Sequence, residues 1–153
     1  MIDKEMFMLL FEGVVSGLVA GTLMGLISHA CFKVGIFKSS LFIIDGTFLQ
    51  HMLKLNPDVK KALIFGIPVH LITSVSFGIG YVVPATFLKL DLLNIWLIAI
   101  YIILLLLAML FLALPTAGQG LFGKKLGPFI WIEQLILHIV FGTGLWGTLL
   151  LFY

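Results

Sequence analysis

Two histidines lie within long apolar stretches of the sequence, where an ionisable side chain is unusual. His70 and His138 each lie about ten residues in from the cytoplasmic end expected for their stretch. That is about 15 Å along an α-helix and close to the middle of a bilayer. A polar side chain at that depth is costly and normally faces the interior of a bundle. Two neutral imidazoles at matching depth on parallel helices could be axial ligands of haem b, and nearby glycines would leave room for the flat macrocycle.

This pair of histidines resembles the histidine and glycine arrangement of membrane cytochrome b bundles. The resemblance implies a haem-bearing electron-transfer or quinone-linked subunit. The chain has no arginine for the haem propionates, however, and no second histidine pair at another depth. The alternative is that His70 and His138 each hydrogen-bond a serine, a threonine or a backbone carbonyl across a helix interface, and we expect this role ahead of haem binding.

Four further ionisable residues are expected near the cytoplasmic ends of the helices: His29, His51, Asp45 and Glu133. Two histidines and two carboxylates could bind a divalent metal or pass a proton between the interface and the core. Their spacing matches no known ligand motif. The alternative is an ion pair between His29 and Glu133, with His51 and Asp45 in solvent.

A small transporter or proton path is a third hypothesis. Its interior would be lined by Glu12, His70, His138 and Glu133. Closely packed helices would leave little room for such a path, so we place it behind haem binding and behind a role as an accessory subunit of a membrane complex.

Several classes of function are disfavoured by composition. No serine, cysteine and histidine grouping has the arrangement of a catalytic triad, so we do not expect an enzyme that acts on its own. The single cysteine, Cys31, excludes an internal disulfide and a zinc site of paired thiolates. The nine basic residues are all lysine and are too few and scattered to bind nucleic acid.

The elements that position these residues follow from hydrophobicity. Hydrophobic residues make up 61% of the chain and charged residues 10%, which is typical of a protein whose outer surface faces lipid. We predict one all-α transmembrane domain over residues 1–153, with membrane helices at about 6–30, 58–83, 92–114 and 128–152. Residues 40–55 have apolar side chains at helical spacing, which predicts a short helix in the inner interface or a segment docked under the bundle.

Lysine placement predicts the orientation. The loops after the first and third helices carry seven of the nine lysines, and the opposite side carries only Lys4 and Lys89. The positive-inside rule therefore places both termini outside the cytoplasmic membrane, here the inner membrane of a prokaryote.

Glycines at every fourth position of the first helix predict its packing. Small residues allow helix backbones to approach closely in lipid, so a glycine zipper should join the first, second and fourth membrane helices and leave the third mostly facing lipid. The predicted packing glycines are Gly13, Gly17, Gly21, Gly25, Gly66, Gly78 and Gly142.

The glycine-striped first helix, "GLFGKKLG" and the last-helix "HIVFGTGLWG" resemble small four-helix bacterial inner-membrane proteins of the YagU-like type. The resemblance implies no activity and no functional residues. A chain of nearly all membrane helix suits an accessory subunit of a larger membrane complex, respiratory or otherwise redox, and this is the leading functional hypothesis. Its expected partners are lipid and other integral subunits or further copies of the chain.

Overall fold

The computed structural model describes residues 4–153, and the regular structure over that range is entirely helical. The helices are α1 (Lys4–Lys33), α2 (Leu41–Met52), α3 (Val59–Phe87), α4 (Ile95–Thr116) and α5 (Ile130–Leu149). All but α2 are long and apolar enough to cross a membrane, which confirms the prediction of an all-helical bundle with four such helices.

The helix α3 begins at Val59, where a side chain caps it. Asp58 is the N-cap, and its side chain accepts a hydrogen bond from the backbone N–H of Lys61 at 3.0 Å. The Gln50 amide binds Asp58 at both backbone groups, with distances of 2.9 and 3.2 Å. This double contact fixes the turn between α2 and α3 directly before the first residue of α3.

Both α3 and α4 continue through a proline near their C-terminal ends. The helix α3 continues through Pro84 to Phe87. In α4, a π-turn at Met109–Ala113 precedes Pro115, and the N–H of Leu114 bonds to the Met109 carbonyl five residues back. The wider turn lets the helix continue to a residue that has no N–H to donate.

The short helix α2 runs antiparallel to the beginning of α3. Besides the clamp at Gln50, Gly46 lies against the backbone of Ala62, and Gly66 lies against the backbone of Phe42. These contacts recur every four residues along both helices. The apolar side of α2 therefore faces the bundle, where Leu41 and Ile44 are only 2% and 3% exposed, and not the lipid that the interfacial interpretation expected.

The helix α1 packs against α3 along its glycines and against α5 on another side. A Cβ atom at Gly17 would lie 3.0 Å from the Cα of Gly78. Side chains larger than hydrogen cannot fit between backbones that approach this closely.

The helix α4 is held mainly by α5. A Cβ atom at Gly142 would lie 2.8 Å from Ile102 Cγ1 of α4. This glycine therefore packs against α4 and not against α1. On the α1 side of α5, Gly144 lies against Ala20. Between α3 and α4, the Tyr101 hydroxyl donates a hydrogen bond to the Phe77 carbonyl at 2.7 Å, and a space opens between the two helices toward α2.

Candidate functional site

A cavity of about 360 Å³ lies between α3 and α4. The helix α2 bounds it at one end, and Met24 of α1 and Phe141 of α5 form its floor. Phe77 and Leu112, which are 40% and 65% exposed, flank the opening on the side of the bundle. Phe77 lies well inside α3, and Leu112 lies four residues before the end of α4, so the opening is on the side of the bundle, toward the end where α2 lies.

The cavity is mostly apolar but has a polar end formed by Asp45, His70 and His138. Thr73 and Ser74 add two hydroxyl groups, and each donates a hydrogen bond to the His70 carbonyl, at 2.9 and 2.7 Å. The π-turn of α4 lines the opposite wall. Turns of this kind often occur at functional sites, because they displace side chains from the regular helical positions.

His70 and Asp45 form the central contact of the polar end. His70 Nδ1 lies 2.8 Å from Asp45 Oδ2, and His70 Nε2 lies 3.0 Å from the carbonyl oxygen of Gly21. The antiparallel arrangement explains the reach, because Cα–Cβ bonds tilt toward the N-terminus of their own helix and so α2 and α3 point these two side chains at each other. The ring has room at α1 because Gly25 has no side chain, and a Cβ atom there would lie 3.0 Å from His70 Cδ2.

The environment of His70 determines how many protons the site holds. A neutral imidazole has one N–H donor and one acceptor nitrogen. Here one nitrogen faces a carboxylate and the other a carbonyl, and both partners are acceptors when Asp45 is ionised. Both hydrogen bonds form only if His70 is an imidazolium beside a carboxylate, or if Asp45 carries the proton and donates it to Nδ1. In either case the pair holds one proton and has no net charge.

His138 lies on the α5 side of the same cavity and is 6% exposed. Its Nδ1–H donates to the Gln134 carbonyl at 2.7 Å, one helical turn back. The side chain of Gln134 is fully buried, and within residues 4–153 neither of its amide atoms has a hydrogen-bond partner. This amide is a polar group in the packed part of the bundle that the protein itself does not satisfy.

The four residues predicted as a metal site are not brought together. His29 forms a hydrogen bond with Ser40, Asp45 contacts His70, and His51 lies against Gly118 in the turn after α4. No group of three histidine, cysteine or carboxylate side chains in the described chain could hold a metal ion.

The predicted ion pair between His29 and Glu133 is wrong, because Glu133 has other partners. Its two carboxylate oxygens accept hydrogen bonds from the Lys38 backbone N–H at 2.8 Å and the Ser39 hydroxyl at 3.1 Å. Glu133 therefore anchors the loop between α1 and α2 to the beginning of α5.

Glu12 lies at the other end of the bundle, away from the cavity. Its carboxylate accepts a hydrogen bond from the Tyr153 hydroxyl at 2.8 Å. Burial, together with the hydrogen bond and the negative charge of Glu12, raises the pKa of Tyr153 to about 12. The four residues of the predicted proton path thus lie in three places, and only His70 and His138 share a cavity.

Sequence reasoning found both histidines of the cavity but missed the role of Asp45. Gly46 and Gly66 could have given a signal, because small residues beside Asp45 and one turn before His70 mark places where helices approach closely. Which helices meet there does not follow from the spacing alone.

Comparison of the chain with protein-family models, curated proteins and solved structures gives no match. The resemblance to YagU-like proteins therefore stays a prediction, and function has to be argued from the cavity.

Proposed function

We propose that this protein is a membrane-embedded subunit that binds a lipid-soluble small molecule in the cavity between α3 and α4. The observation that carries this proposal is the position of the opening, on the side of the bundle and within helices of membrane length. A ligand dissolved in the bilayer would reach such a site directly, without crossing water.

The size and lining of the cavity support this proposal. A volume of about 360 Å³ falls within the range of small-molecule sites, which are mostly apolar with a few polar groups that orient the ligand. Asp45, His70 and His138 supply such groups at one end. The apolar part of a ligand would lie between Phe77 and the π-turn, with its polar end toward the histidines.

The setting of the protein is part of the same proposal. We place it in a prokaryotic inner membrane with both termini outside, because the positive-inside rule assigns the lysine-rich end to the cytoplasm. The exposed apolar side of α4 would contact lipid, a partner subunit or a second copy of the chain. A glycine zipper between α1 and α3 would keep the floor of the cavity rigid.

Benzophenone provides a test, because it is a neutral lipid-soluble ketone that forms covalent adducts on irradiation. We expect saturable labelling of the purified protein, with adducts at Met109 and Phe77 located by peptide mass spectrometry. Ala108 lines the cavity and Ile103 is 53% exposed on the same helix, so Ala108→Phe should abolish saturable labelling and Ile103→Phe should leave it intact. Non-saturable labelling spread over the lipid-facing side chains would refute the proposal.

Haem binding is a second candidate function, favoured by the presence of both His70 and His138 in one cavity. In the observed conformation each nitrogen of His70 is hydrogen-bonded, so the ring offers no free lone pair to an iron. Haem ligation would require His70 to break its contact with Gly21. We therefore expect no Soret band in a reduced-minus-oxidised spectrum of the purified protein, and a Soret and α-band pair lost in both His70→Ala and His138→Ala would establish haem instead.

A further inference from the structure

We infer that the cavity binds a lipophilic monocation in exchange for the one proton held by His70 and Asp45. This inference rests on the proposed lateral binding site and identifies the chemical class of its ligand. The exchange would make the protein sensitive to both pH and cationic lipophiles.

The net charge of the site limits which ligands it can hold inside the bundle. With both hydrogen bonds of His70 formed, the empty site is neutral, because the proton that these bonds require compensates for the carboxylate. Loss of the proton alone would leave the Asp45 charge unpaired inside the bundle, and a cation added to the protonated pair would leave a net positive charge. Both states are costly away from water. A cation that enters as the proton leaves keeps the site neutral: the positive charge then faces the Asp45 carboxylate, and His70 becomes a neutral imidazole.

The lining of the cavity suits a cation with an apolar body. Rings of Phe48, Phe77 and Phe141 lie around the space, and aromatic faces attract cations. Asp45 is the carboxylate among the lining residues, and its side chain is 19% exposed, so an incoming ion can reach it. No lysine of the described chain lines the cavity to repel such a ligand.

The neighbouring titratable groups are few. His138 faces the site from α5, and His29 of α1 lies beyond the Phe42 ring, whose centroid is 5.4 Å from that of His70. The lining residues that α4 contributes are not titratable. Two other carboxylates of the described chain are buried, Glu12 and Glu133, and both have their own partners elsewhere. The proton that a cation displaces is therefore assigned to the pair of His70 and Asp45.

Tetraphenylphosphonium is a suitable probe, because its permanent charge cannot be neutralised by loss of a proton. We would titrate it into the purified protein by calorimetry in two buffers of different ionisation enthalpy, which counts the protons released. The expected result is close to one proton per bound ion. By linkage, apparent affinity should rise about tenfold per pH unit while the empty site holds its proton.

Two variants separate charge recognition from simple filling of the cavity. Asp45→Asn should lower tetraphenylphosphonium affinity at least tenfold and keep saturable benzophenone labelling. Glu12→Gln removes a carboxylate that is also largely buried, at 8% exposure, but lies outside the cavity, and it should bind the cation as the unmodified protein does.

The outcomes distinguish this inference from the function on which it rests. Benzophenone labelling of the cavity together with cation binding that releases no proton, or that persists unchanged in Asp45→Asn, would overturn the exchange and leave the lateral binding site standing. Absence of both saturable labelling and cation binding would overturn both proposals. If Asp45→Asn does not fold, the number of protons that the unmodified protein releases per bound tetraphenylphosphonium ion still tests the exchange.

Discussion

The two sides of α3 differ in how closely a neighbouring helix approaches. On the side of α1, glycines from both helices bring the backbones into contact, as at Gly17 and Gly78. On the side of α4, the same helix faces a cavity of about 360 Å³, because α4 is attached mainly through α5. The helix α3 thus has one side in close backbone contact with α1, called the seam below, and another side that forms a wall of the cavity.

This difference explains how the polar end of the cavity is held in place. His70 and Ser74 lie on α3 and both line the cavity, and His70 reaches across to the Gly21 carbonyl of α1. The tight seam positions the histidine, and the open wall makes it accessible. Substitutions that act on one side alone can test this division.

The largest effect is expected in the seam. Gly17→Leu would place a side chain against the backbone of Gly78 and the Ser74 carbonyl, and backbone atoms cannot move aside as a flexible side chain can. We expect a loss of about 3 kcal/mol or more in the free energy of unfolding, measured by denaturant titration in detergent. Gly147→Leu is the matched control, because a Cβ atom there meets nothing within 4 Å, and it should change stability by about 1 kcal/mol or less. Equal effects of the two substitutions would contradict the description of the seam.

Alanine-to-phenylalanine substitutions can compare a packed helix interface, here between α1 and α5, with the wall of the cavity. Ala20 is 0% exposed and lies against Gly144, so Ala20→Phe should destabilise the protein by about 2 to 3 kcal/mol through overpacking. Ala108 lines the cavity, and Ala108→Phe should fill empty space with a change below about 1 kcal/mol. Thermal unfolding of the two variants checks this ordering, and a strongly destabilised Ala108→Phe would show that the cavity wall is packed.

A smaller effect of opposite sign is expected for the buried amide of Gln134. Gln134→Leu removes a polar group that has no hydrogen-bond partner in the described chain and keeps a similar volume, so it should stabilise the protein by about 1 kcal/mol. Gln50 is equally buried, but its amide binds Asp58 at two points, so Gln50→Leu should destabilise by about 1 to 3 kcal/mol. Free energies of unfolding measured for both variants test these opposite signs. Destabilisation by Gln134→Leu would mean that a bound water or ligand satisfies this amide.

The smallest effect is expected at the end of the bundle away from the cavity. Tyr153→Phe removes the hydrogen bond to Glu12, and because Tyr153 is 64% exposed we expect a loss of about 0.5 kcal/mol or less at neutral pH. The pKa of Tyr153 is raised from 10.0 to about 12, so its contribution is fully present below pH 10 and is lost as pH rises toward 12. Stability measured for both proteins from pH 7 to 12 should therefore converge at the alkaline end. A constant difference would show that the phenol proton is not involved.

The architecture could be predicted from sequence to a large extent, because long apolar stretches have few alternatives in a bilayer. Helix ends could not: Pro115 suggested a stop, and the π-turn before it shows that a local change of hydrogen-bonding pattern can tolerate proline. The sequence also left two positions open for α2, in the inner interface or docked under the bundle. Its apolar residues indicate that one side is buried, but the pattern does not say whether lipid or protein covers it.

For the candidate site, the histidines were identifiable and their partners were not. The depth of His70 and His138 follows from counting residues along a helix. The contact between Asp45 and His70 depends on the direction in which α2 folds back, and the hydrogen bond between His70 and the Gly21 carbonyl depends on how closely α1 approaches α3. Such contacts arise from tertiary packing and leave no periodic signal.

The clamp between Gln50 and Asp58 has a consequence for insertion into the membrane. It joins residues only eight positions apart, so α2 and the start of α3 can associate before the rest of the bundle assembles. An isolated aspartate at the centre of a membrane helix raises the insertion free energy by about 2.5 to 3.5 kcal/mol. Asp45 is instead carried on a helix already folded against its partner, so the carboxylate and the His70 proton can enter the bilayer together as a neutral unit.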